Sequence, residues 1–313
     1  MGTWKPGKLT AKWSQEVGFS FDTTLGNNFL IKQYEVLNQD NDFVILIDGY
    51  EGSSKSHAAQ QLAYFLDIDE KTDSGLIDPT TKKKLYDPAG RKVTIQNITY
   101  DLKELKEKVL NLPEGKAIIA DEAQKFTDRR EFGSDVVKEF NNFMRECRKY
   151  NKFIILIVQR FYDCDFFLAT GRAHCLIHMK TSYKKEKDPV SIRSPLIRGN
   201  ARFYDQTGME RLYANELWRK TYKYPYIEGH CFDFKMPYKW IIPKEEYDQW
   251  KEAKIREREK TFNYKNLKCP SCFGGKLRYN RTKKLWQCGY CPWAGPPSAL
   301  GIIQELPRKG IEK

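Results

Sequence analysis

The stretch Phe43 to Ser56, FVILIDGYEGSSKS, constrains the fold of this chain more than any other. Its apolar opening, FVILI, reads as a fully buried strand, and the HAAQQLAYFL that follows sets Ala59, Leu62, Ala63 and Leu66 on one face of a helix. Between them lies Gly49-Tyr50-Glu51-Gly52-Ser53-Ser54-Lys55-Ser56. This is close to the phosphate-cradling pattern of glycine, four residues, glycine, lysine and serine or threonine. Ser54 departs from it, standing where the second glycine is expected. A strand, a tight loop and a helix start are what phosphate binding needs, because backbone N–H groups and the helix N-terminus must face the anion. In that reading Lys55 reaches the β- and γ-phosphates and Ser56 holds Mg²⁺. Gly49, Gly52, Ser53, Ser54, Lys55, Ser56 and the adjoining His57 make up the expected nucleotide-binding set. The alternative, a glycine-serine turn that happens to precede a lysine, does not account for the flanking strand and helix.

A second motif gives the first a chemistry. About 65 residues later, Lys116-Ala-Ile-Ile-Ala-Asp121-Glu122 reads as a short apolar strand ending in two acids. Asp121 is expected to hold Mg²⁺ through water, and Glu122 to orient or deprotonate a water in line with the γ-phosphate. Between the motifs lie a polar stretch from Asp67 to Lys92, a strand candidate at Val93–Ile98 and an amphipathic helix at Asp101–Leu110. Beyond them, Asp135–Tyr150 reads as an amphipathic helix and Phe153–Val158 as a buried strand whose polar tip, Gln159, either senses the γ-phosphate or its water or is a solvated strand end. A short helix at Asp163–Thr170 and a strand at Cys175–Met179 continue the alternation. Buried strands alternating with helices predict an α/β fold, a mainly parallel sheet covered on both faces.

With 40% apolar residues and 14% aromatics, the chain is not mostly disordered. It contains neither a run long enough to span a bilayer nor a signal peptide, so a soluble, cytoplasmic protein with no membrane partner is expected. The net charge of +13 points to a polyanion, nucleic acid first, against the simpler reading of a basic, soluble surface. Met209–Thr221 is expected as a helix that either contacts a phosphate backbone through its basic and aromatic residues or packs through Leu212, Leu217 and Trp218. Thr181–Asn200 reads as an exposed basic loop, and Glu245–Lys260 as a highly charged helix. In the lead-in, a short helix is expected around Phe29–Leu37. Trp4 and Trp13 pack on the main domain or form an arm onto a neighbour.

Cys269-Pro-Ser-Cys272 and Cys288-Gly-Tyr-Cys291 are separated by 15 residues, the spacing of a four-cysteine Zn²⁺ site on a ribbon with its turn near Asn280–Thr282. The alternative is a redox dithiol pair. With all four positions filled by protein, such a metal is structural. Lys276, Arg278, Arg281, Lys283, Lys284 and Trp286 give the ribbon a basic face, for nucleic acid or for protein docking. The four scattered cysteines read as reduced core thiols. None of the four histidines has a metal partner at a recognised spacing.

IDGYEGSSKS, AIIADEAQKF, RECRKY, IILIVQ and DFFLATGRAH together resemble virus- and mobile-element P-loop ATPases. The chain is similar to the zonular occludens toxin-like and FtsK/HerA-like packaging ATPases over about residues 29–205. The resemblance implies an ASCE-type core, assembly as a ring-like homo-oligomer, and ATP-driven work on DNA such as genome packaging, with capsid or portal partners. It also implies an arginine finger reaching into a neighbour's site, with Arg145, Arg148 and Arg172 as candidates. The expected organisation is a lead-in over 1–42, an ATPase core over 43–205, a helical, basic extension over 206–262, and the ribbon and tail over 263–313. A nucleotide-loaded assembly or replication adaptor with slow hydrolysis is the alternative function, slightly favoured by Ser54. A small-molecule kinase fits the acidic pair, the charge and the ribbon poorly.

Overall fold

The computed structural model describes residues 23–39, 41–67, 93–131, 134–180, 182–183, 196–197, 199–236, 240–262, 269–272, 277–280, 285–292 and 294–295. The chain forms two compact units, Met1–Tyr247 and Asp248–Lys313. Trp4 and Trp13, nearly all of the polar stretch after Asp67 and most of the basic loop before Asn200 lie outside the described residues.

The first unit is built on a seven-stranded sheet of order β2-β3-β4-β1-β5-β8-β9. Its strands are β1 (Phe43–Gly49), β2 (Ile98–Thr99), β3 (Ala117–Ala120), β4 (Phe153–Ile157), β5 (Cys175–Met179), β8 (Asn200–Asp205) and β9 (Cys231–Lys235); β6 (Ser182–Tyr183) and β7 (Leu196–Ile197) pair separately. Strands β2, β3, β4, β1 and β5 run parallel, and β8 and β9 close the edge antiparallel. β4 lies between the glycine-loop strand β1 and the acidic strand β3, which is the inserted strand of an ASCE-type core. All seven residues of β1 are buried, so both of its faces are covered. On one face Val44, Leu46, Ile118, Ile154 and Leu156 pack with Leu105 and Val109 of helix α3 (Leu102–Asn111), Phe126 of the short helix α4 (Gln124–Thr127) and Phe140 and Met144 of helix α5 (Asp135–Glu146). Helix α2 (Lys55–Leu66) buries Ala59, Leu62 and Ala63 and packs on β1, β3 and β4.

Several expected elements take a different form. The lead-in helix α1 runs from Thr23 to Asn38. The expected strand at Val93–Ile98 is instead a 3₁₀ turn, Ile95–Asn97, followed by the two residues of β2. Thr94 and Asn97 form a reciprocal capping box there, a local alternative that outcompetes ladder pairing. The short helix near Asp163 becomes a 3₁₀ turn, Phe161–Asp163, and a π-helical turn, Phe167–Arg172. Met209–Thr221 splits into α6 (Gln206–Ala214) and α7 (Glu216–Thr221), because the Asn215 side chain accepts from Trp218 N–H and starts a new helix. The sheet also continues past residue 205, since β9 supplies its seventh strand.

Below β1 a buried ion pair locks the sheet to the π-helical turn. Asp42, 2% exposed, pairs with Arg172, whose Nε donates to Met144 O at 2.7 Å. The Cys147 thiol donates to Asp42 at 3.2 Å, and burial pushes its pKa up to about 12, which keeps it a neutral thiol. A second buried pair, Asp67–Lys116 at 2.6 Å, ties the end of α2 to β3. Removing one member of such a pair leaves the other charge buried and uncompensated. Arg172→Met is therefore expected to lower unfolding free energy by roughly 3–5 kcal/mol in urea titrations. Adding Asp42→Asn to that variant is expected to restore part of the loss.

Candidate functional site

The glycine loop leaves β1 at Gly49 and enters α2 at Lys55. Its path depends on left-handed backbone: φ is 142° at Gly49, 75° at Gly52 and 75° at Ser54. At Gly49 a Cβ would lie 2.6 Å from the Met179 carbonyl oxygen and 2.8 Å from Ser53 Oγ, so only glycine fits. Ser54 takes the left-handed conformation that the phosphate-loop pattern assigns to glycine, and it carries the strain of a Cβ there. It is the N-cap of α2, and Ala58 N–H donates to its carbonyl at 3.0 Å. The Lys55 ammonium folds back over the loop and donates to Gly49 O at 2.6 Å and Tyr50 O at 3.0 Å. The Ser53 and Ser54 hydroxyls are buried without a hydrogen-bond partner among the described residues. Two orphaned hydroxyls in a loop of this shape fit a ligand rich in acceptor oxygens.

The acidic strand end lies next to this loop. Asp121 follows β3, with its N–H on Thr99 O at 2.8 Å, and Ala123 N–H donates to Ile157 O of β4 at 2.8 Å. Asp121 is 2% exposed. Glu122 has φ 57°, a second left-handed non-glycine at the site, and it turns its carboxylate to Tyr100 Oη at 3.0 Å and Lys125 Nζ at 2.7 Å. Such strain concentrates where function fixes the backbone. Gln159 is exposed just past β4, and its carbonyl accepts from Gly49 N–H at 3.4 Å. The loop, the acidic pair and the polar strand tip thus meet at the C-terminal edge of the parallel strands.

Ser56 and Asp121 converge on one point. The Tyr247 hydroxyl donates to Asp121 Oδ2 at 2.5 Å and lies 3.1 Å from Ser56 Oγ. A hydroxyl on one hand and a carboxylate on the other, aimed at a common position, are the hard oxygen donors that Mg²⁺ takes. The donor set therefore fits that cation. Burial, with the Asp121 charge beside it, pushes the Tyr247 pKa well up, so the phenol stays protonated. Residue 247 lies in the charged stretch expected to be a solvated helix, and nothing local in the sequence marks it. The link to Ser56 spans 191 positions.

Other expected residues are placed as follows. His57 is buried with its ring 3.7 Å from that of Trp240, a packing contact, so its position does not suggest a phosphate ligand. Arg172, one of the three finger candidates, is paired with Asp42 within the chain. Arg145 and Arg148 are exposed, Arg145 lying 5.0 Å over the Phe167 ring. In α6, Met209, Leu212 and Tyr213 are buried, and Trp218 of α7 packs against the same core, whereas Leu217 is 64% exposed, so the packing reading holds for Leu212 and Trp218 and not for Leu217. A buried carboxylate missed by sequence reasoning, Asp48, precedes the loop and accepts from Phe161 N–H and the Tyr224 hydroxyl, with His178 Nδ1 2.8 Å away.

In the second unit, β10 (Leu277–Asn280), β11 (Leu285–Cys288) and β12 (Ala294–Gly295) form an antiparallel sheet. The four sulfurs of Cys269, Cys272, Cys288 and Cys291 lie within 4.8 Å of one another, with Cys269–Cys291 and Cys272–Cys288 each at 3.6 Å. Those separations are close to the ~3.8 Å edge of a tetrahedron with 2.3 Å metal–sulfur bonds. Ser271 N–H and Tyr290 N–H donate to Cys269 and Cys288, and the Tyr290 bond leads the causes that bring the Cys288 thiol down to about 7. Lys276, Arg281, Lys283 and Lys284 lie outside the described residues.

Relieving the left-handed serine tests the loop geometry. Ser54→Gly is expected to raise stability by roughly 0.5–1 kcal/mol, read as a higher thermal midpoint, because the strain removed exceeds the entropy added to the unfolded chain.

Neither a family model nor a curated protein matches the chain. Among solved structures it is similar to the N-terminal domain of zonular occludens toxin from Neisseria meningitidis, at 17% identity over 66% of this chain and 98% of that one, with a TM-score of 0.35. It is also similar to the genome packaging NTPase B204 from Sulfolobus turreted icosahedral virus 2 in complex with AMPPCP, at 16% identity over 54% of this chain and 95% of that one, TM-score 0.31. The AMP complex of B204 gives 14% identity over 63% and 93%, TM-score 0.28. These likenesses are distant, and the reading of the site rests on its own residues.

Proposed function

We propose that the chain is an Mg-ATP-dependent P-loop ATPase that works on DNA. The observation that carries this reading is the convergence of Ser56 and Asp121 on one point beside a glycine loop with orphaned hydroxyls. In the nucleotide complex, backbone N–H groups from Gly52 to Ser56 and the positive end of α2 cradle the phosphates. Lys55 leaves the loop carbonyls for the β- and γ-oxygens, and Ser56 and Asp121 hold the cation. When bound, that cation neutralises charge on the phosphate oxygens. Glu122 orients the attacking water and takes its proton, and Lys125 and Tyr100 fix the carboxylate that does so. Gln159 stands where it can sense the γ-phosphate, and Arg145 or Arg148 supplies a finger to a neighbouring subunit in a ring. Work on DNA is supported by the +13 charge and by an exposed arginine set over an aromatic ring, Arg160 over Tyr222 at 4.3 Å. The four cysteines hold a structural Zn²⁺.

Lys55→Ala is expected to abolish nucleotide binding and hydrolysis. Glu122→Gln is expected to bind ATP normally while hydrolysing it roughly 10²–10⁴-fold more slowly, with DNA stimulating the wild type alone. Normal turnover in both variants would overturn the assignment, and a rate indifferent to DNA would favour an adaptor with slow hydrolysis. For the cysteine site, elemental analysis is expected to find one zinc per chain, lost in the Cys272→Ser/Cys291→Ser double variant.

A further inference from the structure

Hydrolysis, as proposed, has no use for Tyr247, although its hydroxyl occupies the point on which both cation ligands converge. The residue is held there deliberately by its surroundings. It is 4% exposed, and its ring lies 5.2 Å from that of Trp240, which in turn lies 3.7 Å from His57 on α2. Ile242 N–H donates to Gln60 Oε1 of the same helix at 3.0 Å. The segment from Trp240 to Tyr247 is thus fastened along α2, and it ends in the first turn of helix α8 (Lys244–Phe262) with the hydroxyl between Ser56 and Asp121.

A hydroxyl oxygen 2.5 Å from Asp121 Oδ2 takes the place of a cation bound at 2.0–2.1 Å to Ser56 and Asp121, or of the water through which Asp121 would hold that cation. We infer that Tyr247 is an intrachain competitor for the cation position: metal-bound nucleotide enters only when its hydroxyl is displaced, whereas nucleotide without metal does not need that displacement. The inference rests on the nucleotide-site reading above. It gives the Trp240–Tyr247 segment the role of reporting, by its seating on α2, whether the cation is bound.

The test is calorimetric titration of the full chain with ATPγS, once in Mg²⁺ and once in EDTA, for wild type, Tyr247→Phe and Tyr247→Leu. Phe keeps the packed ring and loses only the hydroxyl; Leu is the second variant should packing intervene. The ratio of the EDTA dissociation constant to the Mg²⁺ one is expected to rise roughly tenfold or more in Tyr247→Phe, since a hydrogen bond to a carboxylate no longer has to be broken. The EDTA constant itself should stay where it is. An unchanged ratio overturns the inference, because a merely structural tyrosine would shift both constants together. A lower ratio overturns it too, showing instead that Tyr247 positions Asp121 for the metal. Wild-type chain that binds ATPγS in neither buffer overturns both this inference and the nucleotide reading; binding that Lys55→Ala abolishes, with no change in ratio at Tyr247, overturns this inference alone.

Discussion

The site depends on parallel pairing of β1 with β4. Parallel strands bring the C-terminal ends of sequence-distant segments to one edge, and here that register sets Ile47 beside Ile157 and Ile155 beside Ile119. The glycine loop grows from the end of β1 and the acidic pair from the end of β3, with β4 between them. Everything the site does follows from that edge. The N–H groups of a helix start, a lysine, a hydroxyl and two carboxylates arrive together because three apolar strands stack in register. The hydrogen bonds that stitch the edge are backbone ones, Ala123 to Ile157 and Val158 to Ile47, so the loops are held by the sheet more than by side chains.

The same edge concentrates the chain's unusual backbone. Among the described residues four non-glycines have positive φ, and Ser54 and Glu122 are two of them. Each sits at the candidate site, one where the loop meets α2 and one where the acid leaves β3. A core of buried strands on both faces supplies the rigidity that tolerates such strain. Farther down, Asp42–Arg172 and Asp67–Lys116 anchor the opposite end of the sheet and of α2, away from the glycine-loop edge.

Much of this was legible in the sequence because its signals are local. An apolar run followed by Gly49 to Ser56, and a four-residue strand followed by Asp121-Glu122, each carry their own chemistry in adjacent residues. The inserted strand was implied by the resemblance to P-loop ATPases, and the cysteine ribbon was read from two spacings. What was not legible is long-range. His57 looked like part of the loop but packs on Trp240, and Arg172 looked like a finger but is spent on Asp42, 130 positions earlier. Val93–Ile98 has strand composition, yet a capping box between Thr94 and Asn97 turns it into a 3₁₀ turn. Tyr247 is the furthest case, a tyrosine in a charged helix whose partners lie 126 and 191 positions away.

Ser56 and Asp121, as proposed, form one cation site on the glycine-loop edge. A crystal structure of the chain grown with Mn²⁺ and ATPγS tests it most directly. An anomalous Mn²⁺ peak is expected at bonding distance, about 2.1–2.2 Å, from Ser56 Oγ and linked to Asp121, directly or by one water, with the γ-phosphate beside Lys55. Nucleotide bound elsewhere on the sheet, or a metal peak that touches neither Ser56 nor Asp121, would contradict it.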